Sequence, residues 1–198
     1  MLNKKAAMFG LDARIALAIF GALSVISGAA LYSAIQQAKV VALVAELNEL
    51  GKAHEAYYLD TGVIATNTGS GQSSYWQLLE NTNSLSNWNG PYTSKAKGSS
   101  TSRLAGPTPI GDYQYTTALY ETGPWGADDS GAIGGPVICD DGDACSLYVG
   151  VVATESQAMA EAIDEYIDGS VDYKNGKFRI FYGTGSVYWL WYQVLPVN

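Results

Sequence analysis

From Ile15 to Ala38 the chain runs 24 residues without a charge, and no other feature limits its fold as much. A helix rises about 1.5 Å per residue, so this run would be about 36 Å long, enough for a hydrocarbon core of about 30 Å. Ser24, Ser27 and Ser33 are its main polar interruptions, and a serine hydroxyl can bond back to its own helix. Lys4, Lys5 and Arg14 precede the run, which by the positive-inside tendency puts the N-terminus in the cytoplasm and the bulk of the chain outside. A cleaved secretory signal peptide meets the same description, with small residues at Ser27-Gly28-Ala29.

The residues that follow favour the anchored reading. Val40, Leu43, Leu47, Leu50, His54 and Tyr57 fall at helical spacing on one stripe of an amphipathic helix. Gln36, Lys39, Glu46, Glu49, Lys52 and Glu55 fill polar positions between them, and Gly51 is the one interior residue of poor helix propensity. No proline or turn cluster intervenes before Asp60-Thr61-Gly62. The two runs therefore predict a single helix from about Leu11 to Leu59, about 70 Å long. A signal peptide has no need of that continuation.

Charge divides the same way. Residues 1–39 hold Lys4, Lys5, Arg14 and Lys39 against Asp12, a net of +3, and residues 40–198 carry −11 of the total of −8. An acidic body lacks the cationic face that nucleic acid requires, so no nucleic-acid partner is expected.

Beyond Gly62 the composition turns to Gly, Ser, Thr, Asn and aromatics. A short helix is expected over 75–80, capped by Ser73 or Ser74, and a half-exposed strand over 112–120. A strand over 147–152 leads to a helix over 155–168, with Thr154 and Gln157 as a capping box and Gly169 as the stop. Met159, Ala162, Ile163, Tyr166 and Ile167 are its expected buried face. Residues 177–182 and 187–194 predict an antiparallel hairpin. The fold class is α+β: a long N-terminal helix with an antiparallel sheet head. Cys139 and Cys145, with five residues between them in a chain directed out of the cytosol, predict a small disulfide loop contributing about 2 kcal/mol, a free thiol pair being the alternative for a cytosolic domain. The hairpin carries Phe178, Phe181, Tyr182, Tyr188, Trp189, Trp191 and Tyr192. Aromatics on both faces suit either a carbohydrate-stacking surface or packing of one face on the long helix and the other on loops.

Met1 to Gly10 (MLNKKAAMFG) resembles the short basic leader of a type IV prepilin or type II secretion pseudopilin. The resemblance covers the leader and the whole long helix. It implies residues 1–10 as leader, 11–60 as the helix (15–38 membrane-spanning before assembly) and 61–198 as a globular head. It implies further that a prepilin peptidase cuts between Gly10 and Leu11, and that the pilus assembly machinery draws the subunit from the inner membrane into a helical homo-oligomeric filament. Trp88-Asn89-Gly90-Pro91-Tyr92, and a helix ending in Asp168-Gly169 before the final hairpin, are similar to segments of the same family. The chain departs from the family where Phe is usual after the cut and Glu four residues on: here stand Leu11 and Ile15. Asp12, aided by the helix dipole, is one substitute for neutralising the new amine; the other reading makes Asp12 and Arg14 plain interfacial charges. Some pseudopilins bind calcium in a loop, which makes Asp140, Asp141 and Asp143, or Asp128 and Asp129 nearby, candidate hard-oxygen ligands. Their spacing is not that of an EF-hand, and a solvated acidic loop is the alternative. No other cofactor is implied. A Ser-His-Asp triad would have to recruit His54, which lies on the stripe of the long helix and reads as a packing residue, and no glycine fingerprint opens a helix after a strand, so no enzyme is expected.

Overall fold

The computed structural model describes residues 4–65, 73–126, 135–139, 142–154, 156–183 and 187–197. The chain divides into two compact units, Met1–Lys39 and Val40–Asn198. One helix, α1 (Lys4–Thr61), continues without a break from the first into the second. It begins at Lys4 rather than near Leu11, because Lys4-Lys5-Ala6-Ala7 are strong helix formers and nothing before Gly10 interrupts them.

In the first unit the side chains of Ile15, Leu17, Phe20, Val25, Ile26 and Leu31 all stand exposed. The stretch within α1 is long and apolar enough to cross a membrane, and a helix apolar on every side needs a nonaqueous surrounding or like neighbours.

In the second unit the predicted stripe is the buried face. Val40, Leu43, Leu47, Leu50, His54 and Tyr57 are each at most 4% exposed. All but His54 enter one core cluster with one face of a five-stranded sheet. The strands are β1 (Arg103–Leu104), β2 (Tyr115–Glu121), β3 (Cys145–Thr154), β4 (Phe178–Gly183) and β5 (Val187–Val197). Their order is β1-β2-β3-β5-β4, every neighbouring pair antiparallel. Side chains alternate across a sheet: Val149, Val151, Phe178, Ile180 and Leu190 join α1 in the main cluster, while Tyr148 and Trp191 gather with Ala118 and Trp125 in a second one. Burying each large apolar side chain stabilises the unit by about 1.5–3 kcal/mol.

Gly51 faces Val194 of β5. A Cβ there would lie 2.8 Å from Val194 Cγ1, so the residue of poor helix propensity is the one that lets the sheet approach α1. Two further helices complete the unit, α2 (Trp76–Leu79) and α3 (Gln157–Asp168). Both rims of the sheet are partly covered. Along β1, Ala105 and Gly98 donate to the Ala96 and Arg103 carbonyls; along β4, Phe178 N–H donates to Asp168 Oδ2 and Ile180 N–H to the Tyr173 carbonyl.

Several local expectations change. The N-cap of α2 is Tyr75, with no side-chain cap, so neither Ser73 nor Ser74 plays that part; both are buried. The strand expected over 112–120 begins at Tyr115, and its first four residues are buried on both faces instead of alternating, since each face of the sheet has its own cluster. The cap of α3 is Ser156, whose hydroxyl accepts from Met159 N–H; Thr154 is instead the last residue of β3. The buried face of α3 is Ala160, Ile163 and Asp164, with Ile167 partly covered, whereas Ala162 and Tyr166 are exposed. Gly169 does end the helix, in the left-handed region at φ 78°.

Candidate functional site

The sequence-predicted positions fall in three places. Gly10, Asp12 and Arg14 lie on α1 in the first unit, all exposed; the Leu11 side chain is outside the described residues. A Cβ on Gly10 would meet nothing within 4 Å, so packing within the chain does not require glycine there. Asp12 and Arg14 are two residues apart, about 200° around the helix, and so point to different sides. The first turn of α1 contains no acidic residue. In the whole chain Asp12 therefore lies too far along to feel the dipole's positive end, which acts only within the first turn. A cut before Leu11 would make Asp12 the second residue and bring it there.

The second place is the cysteine loop. Cys139 and Cys145 are joined, with Cα atoms 5.9 Å apart, and Cys145 opens β3 while Tyr120 of β2 bridges Ile138. The bond thus fastens the 137–139 segment to the central strand. Asp143 is exposed; Asp140 and Asp141, like Asp128 and Asp129, lie outside the described residues. Among the described residues no group of three His, Cys, Asp or Glu side chains is placed to hold a metal ion.

The third place is the aromatic hairpin. Phe178 and Tyr188 are buried on the α1 side, with Tyr182 and Tyr192 packed against them. On the opposite side Trp191 is buried beside Trp125 and Tyr148. It stacks near-parallel with Trp189, the ring centroids 6.4 Å apart and the planes at 13°. Both faces therefore carry packing aromatics, with Phe178, Tyr188 and Trp191 buried and Phe181, Tyr182, Trp189 and Tyr192 half-buried, of which Tyr182 and Tyr192 pack on the main core.

The structure also gathers ionisable groups that the residue pattern did not single out. Asp164 of α3 is fully buried; its Oδ2 accepts from Asp172 N–H at 2.8 Å and its Oδ1 has no partner. Burial pushes its pKa up to about 7, the charges of Asp168 and Asp172 adding to the rise while the Asp172 N–H and the Arg179 guanidinium oppose it. Arg179 is itself buried, donating to the Gly176 carbonyl and lying over the Trp125 ring. Asp168 takes the N–H groups of Lys177 and Phe178, and Asp172 those of Lys174 and Asn175. These carboxylates work as backbone clamps that shape the turn from α3 into β4. The signal for Asp164 was present: it stands four after Ala160 and three before Ile167, on the same helical stripe.

His54 is 2% exposed and neither ring nitrogen has a hydrogen-bond partner. Its nearest ring is Tyr75, centroids 5.1 Å apart. Burial alone pushes its pKa down to about 3. An imidazole so enclosed, with no carboxylate or hydroxyl bonded to it, is not arranged as a general base for an incoming substrate. No protein-family model matches this chain, and no curated protein or solved structure matches it.

Proposed function

We propose that the chain is a structural subunit of a type IV pilus or of a related secretion pseudopilus, working by self-assembly through its N-terminal helix. The observation that carries this reading is α1 itself. One unbroken helix carries an uncharged, almost wholly exposed run over 15–38 and then an apolar stripe buried under a sheet. The run needs lipid or like helices, and the stripe supplies the base of an acidic head. In this reading the subunit waits in the bacterial inner membrane, spanning it once over about 15–38 with its N-terminus in the cytoplasm. A prepilin peptidase removes residues 1–10, and the assembly machinery transfers the mature chain to a filament in the periplasm or outside the cell.

Mass spectrometry of the protein purified from membranes tests this. A mature N-terminus at Leu11, together with filaments visible by electron microscopy in cells producing the chain, is the expected outcome. A start near Ala30 would instead favour a secreted or membrane-anchored carbohydrate- or surface-binding module. Half-buried Trp189 and Phe181 are what favours that second reading, and binding of saccharides lost in Trp189→Ala would be its signature.

A further inference from the structure

We propose that His54 is an acid-operated latch: protonation of its imidazole releases the 73–80 segment from α1. Ser73, Ser74, Tyr75, Gln77 and Leu78 of that segment are all buried, and two neighbouring positions of the α1 stripe hold it. His54 packs its ring on Tyr75. One turn on, the Tyr57 hydroxyl donates to Gln77 Oε1 at 3.0 Å. The segment's own structure is slight: α2 has four residues and no side-chain cap. Its other ties include hydrogen bonds from Ser74 N–H to the Ala65 carbonyl, from Trp76 N–H to the Thr101 carbonyl, from Tyr92 N–H to the Leu78 carbonyl and from Trp88 Nε1–H to the Gln77 carbonyl. Lys97 is also paired to Glu80 and lies over the Trp76 ring, and none of these ties is to the imidazole.

Among the described residues nothing near His54 compensates a positive charge. On its own helix Glu49, Lys52 and Glu55 are exposed, with Lys52 bound to Glu49. Glu46 is engaged by Lys95, whose ammonium lies over the Tyr115 ring, and Asp60 accepts from the Tyr92 hydroxyl. Tyr75 offers a neutral phenol, held further from ionisation by burial. On the α3 side Asp164 is taken up with Asp172 and Arg179, and burial is the sole influence on the imidazole. A cation there would carry two N–H donors with no acceptor. A glancing contact with the Tyr75 ring, tilted at 41°, returns less than full dehydration of the cation removes. The least costly route to water for the charged ring is local opening of the weakest element packed on it.

The imidazole binds its proton readily only in the open state, below about pH 6.5, and in the closed state only near pH 3. Opening therefore becomes about tenfold more favourable per pH unit between those limits, about a hundredfold at pH 4.5 relative to neutrality. The test uses the full chain in detergent micelles and follows hydrogen-exchange protection of the Trp76, Gln77, Leu78 and Glu80 amides at pH 7.5 and 4.5. Protection of these four is expected to fall about a hundredfold while amides of β3 and β5 keep theirs, and His54→Phe, which preserves a buried ring, removes the fall. The proposal is overturned if these amides keep their protection at pH 4.5, if the loss persists in His54→Phe, or if β3 and β5 lose protection equally. A second measurement covers the case in which His54→Phe does not fold: the native imidazole, followed by NMR, must show no titration near pH 6.5 in the folded chain, and a titration there overturns the latch.

Discussion

At Gly51 two local rules oppose each other. An alanine in mid-helix is worth about 1 kcal/mol more than glycine, yet an added Cβ would press on Val194 Cγ1 at 2.8 Å. Overpacking of a stiff β-branched neighbour typically costs about 1–3 kcal/mol, so Gly51→Ala is expected to destabilise the fold. In a Val194→Ala background, which removes the Cγ contacts but leaves Cβ at 3.1 Å, the same change should cost less than in the native chain; urea unfolding of the four variants reads the difference. Asp164 yields a pH dependence of definite sign. Its folded pKa of about 7 lies above the ordinary 3.8, so its contribution is complete at low pH and is lost as pH rises through about 7. Asp164→Asn should flatten that decline between pH 4 and 8 in thermal melts. His54 acts in the opposite sense over much of the same range, its folded pKa being about 3 against 6.5, so the two slopes partly cancel in the native protein. The α1 stripe was legible down to each residue from Val40 to Tyr57 because a helix that buries one face imposes a strict spacing. The role of Gly51 was not, since it depends on Val194, 143 positions away along the chain.

Among the elements, α3 shows how a boundary can shift while the element survives. Thr154 and Gln157 fit a capping box in the sequence, but pairing with β5 holds Thr154 in β3, opposite Tyr188, and Ser156 becomes the cap. Ser156→Ala removes the hydroxyl that accepts from Met159 N–H, and a loss of about 1 kcal/mol is expected. Thr154→Ala, which leaves the cap intact, should shift the denaturation midpoint less. The same tertiary pairing explains why the buried face of α3 passes through Asp164 and not Ala162. Apolar character alone favours Ala162, whereas the turn into β4 needs a carboxylate to receive Asp172 N–H. The hairpin was legible because its two strands lie close in sequence. The order β1-β2-β3-β5-β4 was not, because β3 pairs β5 across α3 and β4, and no local pattern records such a pairing.

For the whole molecule, the proposed assembly places the decisive chemistry at the start of the mature helix. With Ile15 where the resembling family carries Glu, Asp12 is the acidic side chain left near a Leu11 amine. Asp12→Asn is expected to reduce filament number at unchanged levels of membrane-inserted subunit, scored by electron microscopy and immunoblot; normal filament yield would assign Asp12 to the interface alone. The disulfide was legible in the cysteine spacing, since it is short-range. The buried charges around Arg179 were not, since they require the fold to bring α3 and β4 together. The partly covered rims of the sheet carry a consequence for any crowded array of these heads. An open strand edge is a template on which the next chain can add a strand. Here the β1 edge is occupied by the 96–98 segment and much of the β4 edge by Asp168 and Tyr173. Along these stretches the described backbone of one head is already paired, so heads brought side by side at high local concentration offer each other less edge on which to add a strand.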